Sequence, residues 1–196
     1  MKNIFLSAIL SVVTLFAFAT NPHTDHVKVN TNNSTVKWIG SKISENHEGT
    51  INIAKGYLGI ENGALVSGKI MIDMQSIKTT DMSDKYNQKL DGHLKSKDFF
   101  NVKEFEVATI TIIQAWKGND NIYKISADLT IKGITHSISF AADVNVNGLN
   151  YLATAKIKID RTKWDIKYNS GNFFKDLGDN LILDEIEFDI FLLSVK

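Results

Sequence analysis

The sequence predicts an all-β protein, an eight-stranded antiparallel barrel with a short helical insertion between strands three and four. Three observations carry this. Eight stretches alternate apolar and polar residues with the period-two pattern of half-buried strands. Most are joined by short turns rich in Gly, Asn and Asp. The single proline of the 196-residue chain, Pro22, precedes all eight, so none is interrupted by a residue that breaks a ladder. A two-sheet sandwich is the alternative architecture, and the two differ in whether the first and last strands pair.

The first segment is Ser34–Ile43, with Val36 and Trp38 on one face and Thr35 and Lys37 on the other. His47–Ile60 is the second. Asn62-Gly63 then marks a type I′ hairpin, because both residues tolerate positive φ. Ala64–Met74 follows, with Ile70, Ile72 and Met74 on one face. The break Gln75–Phe105 interrupts the strand pattern. Within it Met82, Tyr86, Leu90 and Leu94 fall four apart, which predicts a short amphipathic helix with Asp81 as N-cap, interrupted at Gly92. Segments four to seven are Val107–Lys117, Ile122–Lys132, Thr135–Asn147 and Tyr151–Arg161, with Gly133 and Asn147-Gly148 as tight connections. After the aromatic loop Thr162–Asn180, the eighth segment places Ile186, Phe188, Ile190 and Leu192 on one face.

The start of the chain has another character. Lys2 precedes the apolar run Ile4–Ala19, which is shorter than the roughly 20 residues of a membrane span. Ala17-Phe18-Ala19 has the small-x-small form of a signal-peptidase site. Residues 1–19 are therefore expected to be a cleaved signal peptide, with export to the periplasm and no stable membrane span. Residues 20–33 are expected to be a flexible lead-in and 34–196 the barrel domain. His23 and His26 fall in the lead-in and are read as solvated.

Composition narrows the function. With 22 basic and 22 acidic side chains the net charge is zero, which argues against a nucleic-acid partner. The absence of cysteine leaves stability to an apolar core. No spacing of His and acidic residues suits a metal, and no cofactor is expected.

An eight-stranded barrel either fills its interior with side chains or holds one small ligand. The inward positions are Val36 and Trp38, Ile70 and Ile72, Ile125, Ala127 and Leu129, Ile138, Phe140 and Ala142, Ala153, Ala155 and Ile157, and Ile186 and Phe188. They carry no charge. Their small residues leave room that bulky neighbours such as Trp38 and Phe140 can fill, so the pattern permits an open pore or a solid core. An open pore of this kind suits a long hydrocarbon chain.

His47, His93, Phe99, Phe100, Arg161, Trp164, Tyr168, Phe173 and Phe174 sit in or beside the connections. The aromatic residues among them are placed to seal one barrel end, form the mouth of a pore, or make a homodimer contact. Arg161 is expected to pair with Asp91 or Asp98, or else to meet an acidic headgroup. His136 is expected to be exposed. An Asp91/His93 pair has the elements of a dyad, but no nucleophile stands in a suitable context.

The connections and the strands around them carry a family likeness. KLDGHLKSKDFF (Lys89–Phe100), ADLTIKGIT (Ala127–Thr135), IDRTKWDIKYNSGNFF (Ile159–Phe174), WIGSKISENHEGTI (Trp38–Ile51) and LGDNLILDEIE (Leu177–Glu187) resemble the YceI-like family of exported lipocalin-like proteins. The likeness runs from about Val29 to Val195. It implies an extended eight-stranded lipocalin-like barrel, a periplasmic location, a polyisoprenoid such as an isoprenoid quinone tail held in the pore, and no enzyme activity. Two departures bear on the mouth. Glu106-Val107 stand where the family usually has Pro-Thr, and Asp165 stands where it usually has Gly. Asp reaches positive φ less readily than Gly, so a changed loop is expected there.

The expected function is that of a carrier for a polyisoprenoid or similar long-chain lipid. The alternatives are an enzyme on such a lipid using His47, Asp91 or His93, and an interaction protein with a filled barrel.

Overall fold

The computed structural model of the chain describes residues 23–195. The expected signal peptide and its cleavage site lie outside these residues.

The strands are β1 (Asp25–Lys28), β2 (Thr35–Lys42), β3 (Asn46–Glu61), β4 (Ala64–Thr79), β5 (Val107–Lys117), β6 (Ile122–Ile131), β7 (Ile134–Asn147), β8 (Asn150–Asp160) and β9 (Ile182–Leu193). Helix α1 (Asp84–Lys95) lies between β4 and β5. The sheet runs β3-β2-β9-β8-β7-β6-β5-β4 and closes through β3–β4, all antiparallel. The register Thr35↔Phe191 to Gly40↔Ile186 joins the first barrel strand to the last. That pairing makes the fold a barrel and excludes the sandwich.

Four departures from the sequence reading have local causes. The lead-in contains β1, which pairs with the end of β3 (Asp25↔Ile60 to Lys28↔Tyr57). It continues the line of β2 along the edge of β3, burying Val27 and Val29. His26 stacks on Tyr57 with ring centroids 4.3 Å apart, so it is not a solvated tail residue.

β4 runs five residues past Met74, because Ser76 substitutes for a strand partner. Its hydroxyl accepts from Asn52 N–H (2.7 Å) and donates to the Asp73 carbonyl (2.6 Å). The chain then resumes pairing at Thr50↔Lys78 and Gly49↔Thr79.

Helix α1 passes straight through Gly92, held by burial of Leu94. Its N-cap is Ser83, and Asn87 closes the entry by bonding both the N–H and the carbonyl of Met82 (3.1 and 2.9 Å).

Asp165 adopts the left-handed conformation (φ 58°, ψ 32°), so the aspartate does reach positive φ at this position. Lys132 Nζ donates to its carbonyl (2.9 Å), and its carboxylate pairs with Lys167 (2.7 Å). Those contacts hold the carboxyl below its usual range, the Lys167 hydrogen bond most of all.

The hairpins behave as the turn residues dictate. Asn62-Gly63 and Lys132-Gly133 have positive φ at both positions, as type I′ requires. At the β7–β8 turn only Gly148 does, and the two-residue loop is Gly148-Leu149.

The interior divides into two zones. At the end bearing the β3–β4, β5–β6 and β7–β8 hairpins, Leu58, Leu65, Tyr123, Ile125, Val144 and Tyr151 are buried in a packed core. From the other end, roofed by α1 and the β8–β9 connection, a channel runs into the barrel and along β9 as far as Leu192.

Candidate functional site

The channel encloses about 190 Å³ and is lined almost wholly by apolar groups. On β9 its walls run from Ile182 through Ile186, Phe188 and Ile190 to Leu192, ten residue steps or about 33 Å of strand. It is therefore long in one dimension. Its other walls come from Val36 and Trp38 on β2, Ile51 on β3, and Ile70, Ile72, Met74 and Ile77 on β4. Ala108 and Ile110 of β5, Leu129 and Ile131 of β6, Ile138 of β7 and Ile157 of β8 complete the ring. Leu90 and Leu94 of α1, with Phe99 and Phe100, form the roof.

The WIGSKISENHEGTI stretch shapes one wall. A Cβ at Gly49 would collide with the Lys78 carbonyl and lie 2.6 Å from Trp38 Cζ2, so the indole of Trp38 lies flat over a glycine. Its Nε1 is buried and has no hydrogen-bond partner.

One end of the channel is polar. Gly40, Ser41, Lys42, His47, His93 and Arg161 border it. His47 Nδ1 is 2.9 Å from Asp81 Oδ2, so Asp81 orients a histidine instead of capping α1. Lys42 Nζ bonds Glu45 Oε1 (2.8 Å) and holds that carboxyl below its usual range. His93 lies against the rings of Tyr168 (4.6 Å) and Phe99 (5.6 Å), and its buried Nε2 has no partner.

Arg161 is fully buried (0 % exposed). Its Nη1, Nε and Nη2 donate to the carbonyls of Ile166 (2.7 Å), Leu183 (3.1 Å) and Ile182 (3.0 Å). Asp184 Oδ1 lies 3.1 Å from Nη2 as an ion pair, while Oδ2 accepts from Ser170 and Asn172. Burial pushes the guanidinium below its usual value, and Asp184 and Asp160 act against that shift. The arginine ties the turn after β8 to the start of β9 and so fixes the rim. It takes neither partner the sequence reading gave it. Asp91 instead accepts from the N–H and hydroxyl of Thr79 (2.7 and 2.6 Å), pinning α1 to β4.

Of the inward positions read from the sequence, Val36, Trp38, Ile70, Ile72, Leu129, Ile138, Ile157, Ile186 and Phe188 line the channel. Ile125, Ala127, Ala142 and Ala153 point inward but sit in the packed zone, where large neighbours occupy the room they leave. Tyr123, for one, stands opposite Ala142. Phe140 packs half-buried against that core. Ala155 borders a shallow outer groove with Thr154, Lys156 and Ile190, because the β7–β8 ladder ends at Ala142↔Ala155.

Among the mouth residues, His47, His93, Phe99, Phe100 and Arg161 do border the channel. Trp164 does not. It is buried beneath the rim, donates to the Leu129 carbonyl (3.1 Å) and packs edge-on against His136. His136 is in turn bonded to the Lys163 carbonyl (2.9 Å), so it is not free at the surface. Phe173 and Phe174 stay about half exposed outside the channel. Met74, Ile190 and Leu192 shared the alternation of residues already placed inward. The roof from Leu90 and Leu94 had its signal in their helical spacing.

Among the described residues no hydroxyl hydrogen-bonds either His47 or His93, no cluster of potential ligands could hold a metal, and no helix is long and apolar enough to cross a membrane.

Comparison with known proteins agrees with this geometry. A crystal structure of BcnA from Burkholderia cenocepacia superposes with a TM-score of 0.69 at 21% identity, covering 85% of this chain and 99% of that one. A structure described as a polyisoprenoid binding domain from Saccharophagus degradans gives 0.62 at 16% identity, covering 87% and 98%. At these identities the likeness is one of fold. A UPF0312 protein of Staphylococcus aureus strain USA300 is 32% identical over 90 residues, 42% of this chain and half the length of that relative. The model of the YceI-like domain matches residues 27–192. The chain belongs to the YceI-like domain family.

Proposed function

We infer that the protein binds and carries a polyisoprenoid or similar long-chain lipid, with the chain in the channel and the polar head at the end bordered by Lys42, His47 and His93. The observation that carries this is the shape and chemistry of the channel: narrow, about 33 Å along β9, and apolar on every side except one end. Each CH₂ moved there from water contributes about 0.8 kcal/mol, so a chain of many carbons has ample driving force. The unpartnered Trp38 Nε1 and His93 Nε2 are polar groups for which a ligand oxygen would be a fitting partner, as the carbonyl of an isoprenoid quinone would be. The description of the Saccharophagus relative as a polyisoprenoid binding domain points to the same ligand class.

We read the role as binding without catalysis, because among the described residues no hydroxyl hydrogen-bonds His47 or His93, and Asp91 is bonded to Thr79, not to His93. Residues 1–19 have the form of a cleaved export signal, which supports a carrier that works in the periplasm.

The test is extraction of protein purified without detergent. Organic solvent should release a long prenyl or acyl lipid identifiable by mass spectrometry. Repeated extraction that yields none, with no uptake of an added prenyl quinone, would support a filled-barrel interaction protein instead.

A further inference from the structure

Barrel walls are sealed by ladder hydrogen bonds, and here the β7–β8 wall is sealed over only part of its length. β7 pairs with β6 from Ile131↔Ile134 to Ile122↔Asp143, which covers the whole stretch Ile134–Ala141. Its pairing with β8 stops at Ala142↔Ala155. Beyond that point Ile134–Ala141 and Lys156–Asp160 face each other as unbonded edges. On β7 the inward residues Ala142 and Val144 in the bonded part are buried, whereas Ile134, Ile138 and Phe140 beside the gap are only half-buried; on the β8 side Ile157 and Ile159 stay buried.

The gap has a channel behind it and a groove in front. Ile138 and Ile157, on its two sides, line the channel. Ala155 and Lys156 border the outer groove, and Ile190 borders both. The outward side chains on the β7 edge are small: Ser137, Ser139 and Ala141. At its far end the gap is latched, where His136 bonds the Lys163 carbonyl and Trp164 bonds that of Leu129. The ladder also lapses between β4 and β5 beyond Gly68↔Ile112. There the packed core lies behind it, with Leu65 N–H bonded to Tyr123 Oη (3.3 Å). At the β7–β8 gap, by contrast, an unbonded wall meets the channel.

We propose that the β7–β8 seam is a lateral portal through which the hydrocarbon chain of a lipid enters and leaves the channel sideways. This rests on the carrier reading. A chain that threads end-on must pass its whole length across the polar rim at Lys42 and His47. A chain that slides through the seam keeps its head at that rim. Widening the seam breaks no ladder bond, because none spans it, so the strands on either side can part without loss of backbone pairing. Phe140, the largest inward side chain on the unbonded part of β7, packs half-buried against the core beside the gap.

The chain has no cysteine, so two introduced ones can be bridged selectively. Ser139→Cys with Lys158→Cys places a thiol on each outer lip, and a short bis-maleimide closes the seam. Ser126→Cys with Ser139→Cys, across a bonded β6–β7 pair, is the control bridge. The probe is a long-chain prenyl quinone in phosphatidylcholine vesicles. The seam bridge should slow uptake and release together by at least about tenfold, equivalent to about 1.4 kcal/mol of barrier, and leave final loading unchanged. The control bridge should change neither rate. Normal loading with unchanged rates in the bridged protein would overturn the portal and leave the carrier intact. No loading in any form would overturn the carrier reading and the portal with it. Hydrogen exchange supplies a readout free of cargo. Seam-facing amides of Ile134–Ala141 should exchange much faster than those of Ala142–Asn147. Slow exchange there, including protection by edge-to-edge pairing in a dimer, would show a closed seam and overturn the portal.

Discussion

The hairpin end and the helix end of the barrel are built from the same alternating strands, yet one is solid and the other hollow. The difference lies in what stands across from each small residue. At the hairpin end Ala142 pairs with Tyr123 in the β6–β7 register, and Ala127, Ala142 and Ala153 are buried in the core. At the helix end the walls are mostly Ile and Leu side chains, with Trp38 and Phe188 among them, and they leave an apolar space between them. A run of alanines therefore marks where aromatic rings are accommodated. The space for a ligand lies where residues of moderate size face one another beneath a roof.

The largest effect that separates the halves is overpacking. Ala127 is 0 % exposed, so Ala127→Leu should cost about 1–3 kcal/mol in denaturant unfolding. Ile72→Phe adds volume on the channel wall, where space exists, and should cost well under about 1.5 kcal/mol while sharply lowering lipid content. Equal destabilisation by the two, measured lipid-free because a ligand itself adds stability, would erase the distinction.

The next effect concerns the phenol of Tyr151 in the solid half. It is buried without a hydrogen-bond partner, and burial pushes its pKa well above the ordinary 10.0. The folded state thus holds that proton more tightly than the unfolded state. Its contribution is intact below about pH 10 and falls by about 1.4 kcal/mol per pH unit above it until the folded phenol ionises. Tyr151→Phe should be equally or more stable at pH 7 and should move the alkaline unfolding midpoint upward. A midpoint that does not move would mean that water reaches this phenol and that the hairpin end is not dry.

A smaller effect probes the roof of the hollow half. Gly92 lies inside α1, and beyond its own helix backbone nothing stands within 4 Å of the place a Cβ would take, so Gly92→Ala should raise stability by about 1 kcal/mol or less. Loss of stability would mean that the helix is broken there, as its sequence suggested, and that the roof is not a rigid element.

Much of the barrel was legible because period two is a strong signal. Segment four matched β5 at both ends, and the hairpins at Asn62-Gly63 and Gly133 lie where turn chemistry put them. What escaped depended on partners distant in sequence. β1 exists because the edge of β3 beyond β2 was unpaired. The extension of β4 depends on one serine hydroxyl meeting Asn52. The site was legible to the extent of face but not of depth. Alternation identified Ile70, Ile72, Leu129 and Ile157 as inward, and they line the channel. It could not separate them from Ile125 or Ala153, which share that parity but lie in the packed zone. Arg161 was found at the rim with a carboxylate partner expected, yet that partner is Asp184 on β9, and three backbone carbonyls, which no charge pattern reveals, complete its hydrogen bonds.

The central claim is that a long apolar chain lies in the helix-end channel, and affinity as a function of chain length tests it most directly. Trp38 lines that channel, so quenching of its fluorescence reports occupancy, with Trp38→Phe as the blank. Across prenyl quinones with one head group and increasing numbers of isoprene units, the account predicts affinity that climbs with each added unit and levels off once the channel is full. Affinity that is the same for the shortest and longest members would contradict it.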